Sequence, residues 1–443
     1  MATDYKYKPP KIRKREDIDI PDRVLVFLIL SILKDAATNG ETELGMSKLM
    51  KVPITILKPI FPELKNNAKY ITTKPGSKVD NPTYVLTGIG EIYFEGLSRE
   101  IVYKDYVAPV SLAAYIKSVN DQIHKLEFRV TLSLIQEIIK VRHLIFPDQL
   151  LIELKTLLTN KRPFLIYGPP GNGKTAITDT FYQLLNYTIY MPHAIYINKR
   201  IYPFFVDGIH ESIDNKIPEE EYKQLDNRWI YAKPPKIVVH TNSDVDSFSM
   251  YNLTFPPQVV ANLGMMIIDD FGRNPPKNPT QKSAVEILNR FISLFEDEED
   301  VMDFGDGRAK FPIKERIILS SNMQMSDILD QAFRRRMPFN LETFNPPKET
   351  AKKIFVSQAT RLDCPQTEEE IGELFEFLYK LYEDNGKIIP GSDARDLQTY
   401  IRATDDENKL VLTKENLEDA FKKRYDLNVD PSQVKFYSSG GSL

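Results

Sequence analysis

Apolar positions change rhythm several times along the chain. Residues 24–33 form a nearly continuous apolar run inside a helical stretch spanning residues 21–39, and residues 43–51 and 53–67 continue with helical patterns. Residues 70–73 and 82–87 then alternate as strands across a tip that holds the turn formers Pro75, Gly76 and Asn81, and a closing helix starts at Thr87-Gly88-Ile89-Gly90. The order over residues 21–104 is therefore helix, helix, helix, hairpin, helix. Pro59 and Pro62 interrupt the third helix, where an interior proline costs about 3 kcal/mol. A mostly helical connector follows over residues 105–160. Across residues 161–346 short apolar runs alternate with helical segments, the signature of a three-layer α/β unit around a parallel sheet. Residues 347–428 read as helical throughout, and the Ser- and Gly-rich end of residues 429–443 reads as a flexible tail.

Composition narrows this picture modestly. A chain of 443 residues corresponds to about two or three domains, and a net charge of −4 means that any nucleic-acid contact must be local. Residues 1–20 concentrate Lys6, Lys8, Lys11, Arg13, Lys14 and Arg15 and read as a flexible, solvated basic arm. The apolar run after it is shorter than the about 20 residues a membrane span needs, and Glu16, Asp17, Asp19 and Asp22 separate it from the cations, so no membrane partner is expected. Cys364 is the sole cysteine, which excludes an internal disulfide and suits a reducing, cytoplasmic setting. His210 and His240 lack partners at zinc-ligand spacing.

The chemistry concentrates in the α/β region. Gly168-Pro169-Pro170-Gly171-Asn172-Gly173-Lys174-Thr175, followed by Ala176, comes directly after the apolar run of residues 163–167 and before a helical stretch. Glycines at these positions let successive N–H groups turn toward an anion, Lys174 can reach β- and γ-phosphates, and the Thr175 hydroxyl can ligate Mg²⁺. The apolar strand of residues 265–268 ends in Asp269 and Asp270. Asp269 is placed to hold Mg²⁺ through its water shell, and Asp270 to orient and deprotonate an attacking water. A further apolar strand ends at Asn322, a side chain able to touch a γ-phosphate or a lytic water. Arg334, Arg335 and Arg336 follow, readable either as a solvated helix end or as cations projected onto a neighbouring subunit's nucleotide.

Phosphate loop, acid-tipped strand, amide-tipped strand, arginine cluster and helical lid, in this order, resemble the AAA+ ATPase family over about residues 130–428. That resemblance implies ATP and Mg²⁺ as ligands and a homo-oligomeric ring, taken as a hexamer. It makes Asn322 the sensor 1 residue, Arg335 and Arg336 the arginine-finger candidates, and Arg395, in Asp393-Ala394-Arg395-Asp396-Leu397, the sensor 2 residue. Gly305-Asp306-Gly307-Arg308 between two short strands is similar to the pre-sensor 1 hairpin of the MoxR, chelatase and initiator-like branches. Residues 21–104 resemble a winged-helix domain. Together with residues 106–112, His210-Glu211, Arg228-Trp229 and Ile268 to Gly272, they resemble a bacterial AAA+ group carrying such an N-terminal domain. The chain departs from the family at Asp270, where Glu is commoner, with Glu211 or Glu286 as possible helpers, and at the third arginine, Arg334.

Residues 190–262 make an insertion, with residues 193–199 expected as a strand of the main sheet. Its Tyr202, Phe204, Phe205, Trp229, Phe248, Tyr251 and Phe255 suit either a local core or a pore loop gripping a polypeptide. The resemblance thus implies an ATP-driven machine remodelling a protein client. The alternatives are a DNA-associated initiator or helicase loader, using the winged helix, Lys74, Lys78 and the basic arm, and a nucleotide-gated scaffold with little hydrolysis.

Overall fold

The computed structural model describes residues 7–126, 130–160, 162–240, 248–250, 253–272, 288–289, 291–328 and 331–425. Its centre is a mixed α/β unit around five parallel strands: β1 (Phe164–Tyr167), β2 (Lys236–His240), β3 (Met265–Asp269), β4 (Arg316–Ser321) and β5 (Leu341–Glu342). Their spatial order is β2-β3-β4-β1-β5. The central strands β1, β3 and β4 are covered on both faces and are apolar runs without solvent-facing alternation, whereas the edge strand β2 leaves Val238 and His240 exposed. The alternation persists in how side chains are shared. Phe164, Ile166, Met265, Ile267 and Ile318 pack with Ile177 and Phe181 of the helix Lys174–Leu184. Leu165, Met266, Ile268, Ile317 and Leu319 enter a separate cluster on the opposite face.

The expected sheet strand at residues 193–199 belongs elsewhere. Ala194–Ile197 pairs parallel with Val110–Ser111 and antiparallel with Arg200–Pro203, while Ile189–Pro192 pairs with Trp229–Ala232. The chain leaves the main sheet after the helix Lys174–Leu184 and returns to it at β2. Both segments are rich in β-branched residues, so local pattern alone does not say which one joins the sheet. The insertion's aromatics are buried: Tyr202, Phe204, Trp229, Phe248 and Phe255 all enter the core cluster. Phe204 meets Tyr115 at 5.0 Å between ring centroids, and Tyr202 meets Phe304 edge-on at 5.0 Å. Phe205 packs partly buried against the same cluster. These side chains build a local core, which removes them as pore-loop candidates. Tyr251 lies outside the described residues.

Glu299–Asp303 and Arg308–Pro312 form the expected antiparallel hairpin. Gly305 adopts φ 82°, and the Asp303 carboxylate accepts its N–H at 2.8 Å. At the tip, Asn198 Nδ2 donates to Asp306 Oδ1 at 3.4 Å, which ties this hairpin to the turn of the insertion's own hairpin.

The N-terminal helices Asp22–Ala36 and Glu43–Met50, the broken third helix and the closing helix Gly88–Glu100 surround a small antiparallel sheet. In it Thr83–Leu86 lies between Glu41–Thr42 and Ile71–Thr73. Thr42 and Thr87 cap their helices by accepting the N–H of Gly45 and Gly90 at 3.0 and 3.1 Å.

The expectation of a solvated arm is overturned for residues 7–20. Tyr7, Ile12, Ile18 and Ile20 are buried. Pro9 O accepts the Asp226 N–H at 3.3 Å, and Lys8 pairs with Glu221 at 2.8 Å. Apolar side chains spaced among the cations anchor this strap while the charges stay outward, which counting charges alone misses.

Lys348–Arg361, Glu368–Asp384, Asp393–Thr404 and Lys414–Arg424 form a C-terminal helical unit with its own core of Phe355, Phe375, Leu378, Tyr382, Leu397 and Phe421. Residues 426–443 lie outside the described residues. Among the described residues no helix is long and apolar enough to cross a membrane.

Candidate functional site

Strand β1 ends at Tyr167, and the chain turns through Gly168, Gly171 and Gly173 at φ 131°, 80° and 80°. Glycine is required there twice over. A Cβ on Gly168 would lie 2.1 Å from Thr343 O, and one on Gly171 2.6 Å from Ser392 Oγ. The loop leads into the helix Lys174–Leu184, whose first N–H groups and dipole face the turn. Lys174 is buried, and its ammonium donates to Gly168 O at 2.8 Å and Pro169 O at 2.9 Å. Burial pulls its pKa below the ordinary lysine range, and the carboxylates of Asp269 and Asp270 act in the opposite direction.

Those carboxylates stand at the carboxyl end of β3. Asp270 adopts φ 53°, a left-handed conformation that costs a β-carbon residue about 1–2 kcal/mol and that Asp tolerates better than most. The turn is stitched to β4 by Phe271 N–H to Ser320 O at 2.8 Å and by Ser321 Oγ to Phe271 O at 2.6 Å. At the end of β4, Asn322 Nδ2 donates to Asp270 Oδ1 at 3.0 Å. The amide and the carboxylate that the sequence placed on separate strands are thus direct neighbours.

Gly171, Gly173, Lys174, both carboxylates and Asn322 line one cleft of about 1130 Å³, which Gly168 and Pro169 do not border. Its floor is Gly171, Lys174, Thr175, Asp269, Asp270 and Asn322; Pro170, Asn172, Gly173 and Ala176 also border it. One wall comes from residues 141–147, including Phe146, and another from the C-terminal helices through Ile354, Ser392 and Arg395. The loop touches that second wall directly. Ser392 N–H donates to Gly171 O at 2.8 Å, Gly391 N–H to Asn172 Oδ1 at 3.2 Å, and Asn172 Nδ2 to Asn345 Oδ1 at 2.8 Å. Arg395 is 68% exposed, with Nε and Nη2 on Asp396 Oδ1 at 3.0 and 2.8 Å.

Arg335 and Arg336 do not line this cleft. They sit in Gln331–Arg336, where Arg336 is held by Glu296 at 2.7 Å and lies over the Phe333 ring, while Arg335 is exposed. Glu211 pairs with Lys233 at 2.6 Å away from the cleft, so it is no helper to Asp270. Glu286 lies outside the described residues. His210 is a buried structural residue. Its Nδ1 accepts the Val206 N–H at 3.0 Å, so Nε2 carries the proton donated to Val260 O at 3.1 Å.

Thr343, Asn345, Phe146 and Ser392 also line the cleft, and none belongs to a motif legible in the sequence. Only the last had a local signal, in Pro390-Gly391-Ser392 just before a helix start. Compared with known proteins, the chain matches no protein-family model and no curated protein.

Proposed function

We propose that the chain is an ATPase of the AAA+ type, binding ATP with Mg²⁺ in this cleft and using its hydrolysis, as a ring of like subunits, to remodel a protein target. The observation that carries the reading is the convergence of the glycine-shaped loop, the buried Lys174, the paired carboxylates and Asn322 in one cleft. That cleft lies at the carboxyl ends of parallel strands, beside the strand where the sheet order reverses. The order β2-β3-β4-β1-β5 and the helical unit closing over the loop agree with the family resemblance. The three-stranded N-terminal sheet among its helices agrees with a winged-helix reading.

The site fits the proposed ligands. A turn that no Cβ can enter brings backbone close to an anion, and the loop's own donors are backbone N–H groups and the Lys174 ammonium, faced by Arg395 across the cleft. Thr175 and Asp269 supply hard oxygen ligands of the kind Mg²⁺ prefers. When bound, Mg²⁺ would neutralise charge shared by the β- and γ-phosphates. Lys174 would exchange its loop carbonyls for phosphate oxygens. Asp270 would accept the proton of the water that attacks phosphorus as the bond to the leaving ADP oxygen breaks, and Asn322 would fix the direction of that carboxylate. Arg395 would reach the γ-phosphate from the helical unit, while Arg335, exposed and outside the cleft, is available to a neighbouring subunit.

ATP turnover measured against protein concentration with Mg²⁺, beside mass photometry, tests this. Turnover that rises with ring formation is expected. Absence of nucleotide binding overturns the site. Assembly with ATP but without turnover favours the nucleotide-gated scaffold, a reading to which the short side chain of Asp270 lends weight.

A further inference from the structure

The helix that brings Arg395 to the cleft is tied at its start to the last helix of the chain's C-terminal unit. Asp393, buried with a side chain only 1% exposed, accepts Arg424 Nη2 at 3.1 Å, Tyr425 Oη at 2.8 Å and Tyr382 Oη at 2.5 Å. The same Arg424 nitrogen lies 3.2 Å from Asp396 Oδ2, and Oδ1 of that carboxylate is the acceptor for Arg395. Two arginines therefore share Asp396, one from each helix. Asp396 holds Arg395 by charge, and Arg424 offsets part of that charge.

We propose that Asp396 and Arg424 are positioning residues of opposite sign for Arg395: Asp396 restrains the guanidinium, and Arg424 weakens the restraint so that a triphosphate can draw Arg395 into the cleft. This rests on the nucleotide-site reading above. Without Arg424, Arg395 faces an undivided carboxylate, and releasing it costs more. Without the Asp396 charge, Arg395 is released at no cost. A purely structural role would have both changes loosen the helix start that carries Ser392 and Gly391, and both would weaken binding.

The test is the dissociation constant of fluorescently labelled ATP with Mg²⁺ for the full chain, for Arg424→Gln and for Asp396→Asn, each with and without Arg395→Gln, alongside melting temperatures. Arg424→Gln should weaken binding about fivefold and Asp396→Asn should tighten it by a similar factor, modest because Arg395 and Arg424 are solvent-accessible. Both shifts should shrink as salt rises and vanish when Arg395 is Gln. Arg424→Lys should recover part of the loss. Shifts of the same sign, or shifts that persist in the Arg395→Gln background, overturn the proposal alone. A wild-type chain that binds no labelled ATP overturns the nucleotide site and this inference with it.

Discussion

The glycine-rich loop of residues 168–175 and the insertion, whose strands run from Ile189 to Ala232, both carry dense sequence signals, and they answer to different physics. In the loop the informative residues are glycines whose conformations and close approaches admit no side chain, so the sequence restricts the backbone itself. In the insertion the informative residues are aromatics, whose type sets how much area they bury and leaves open against what. Tyr202, Phe204 and Trp229 could have faced a channel, and they face one another and their neighbours instead. A signal written in backbone freedom forecasts geometry, and a signal written in side-chain class forecasts burial.

The sharpest way to break this contrast is a pair of substitutions. Gly168→Ala puts a Cβ 2.1 Å from a carbonyl oxygen and should abolish ATP binding, a loss of at least about a hundredfold in affinity by equilibrium titration. Phe204→Ala should lower unfolding stability by about 3–5 kcal/mol in denaturant melts and leave ATP affinity within about twofold. If Phe204→Ala abolishes nucleotide binding in a still-folded protein, the division between the regions fails.

Asp270→Asn should retain ATP affinity while kcat falls by about 10²–10⁴, read by steady-state kinetics. Asp270→Glu sharpens the point, because a turnover higher than wild type would mean that reach, not basicity, limits this carboxylate.

A smaller effect is expected at the seam between the N-terminal unit and the insertion. Lys51 Nζ donates to His193 Nε2 at 3.0 Å, and burial together with that cation holds His193 down at about 4, against an ordinary value of 6.5. Between those two values the unfolded chain binds the proton and the folded chain does not. Stability should therefore be fully present above about pH 6.5 and fall by of order 2 kcal/mol as pH drops toward 4. A pH series of melts on wild type and His193→Gln checks it, the variant losing that slope. The smallest effect belongs to the strap's Lys8. Lys8→Ala breaks a half-exposed pair with Glu221 and should change stability by less than about 0.5 kcal/mol, whereas Ile18→Ala should cost about 2 kcal/mol or more.

The parts legible in the sequence were those fixed locally. The loop, the acid-tipped β3, the amide-tipped β4 and the 299–312 hairpin each lie where turn chemistry and apolar runs put them, and Lys174, Asp270, Asn322 and Arg395 line one cleft. What stayed hidden depends on distant partners. Strand β2 was masked because residues 194–197 offer an equally good strand, and only pairing with Met265–Asp269 decides between them. Thr343 walls Gly168 from a segment far along the chain, and Glu296 claims Arg336 from across a loop and a hairpin. The strap was obscured because its isoleucines are interleaved with charges.

The division of β1, β3 and β4 between two apolar clusters makes the middle of the sheet a bulkhead. The helix that follows the glycine-shaped loop packs on one side, and the aromatic insertion on the other. With layers about 10 Å apart, a volume change on the insertion side reaches the loop mainly through the strands, with Tyr187, which packs against both clusters, as a second route. Such a partition confines most changes of aromatic packing to one face of the sheet, away from the glycine-shaped turn on the other.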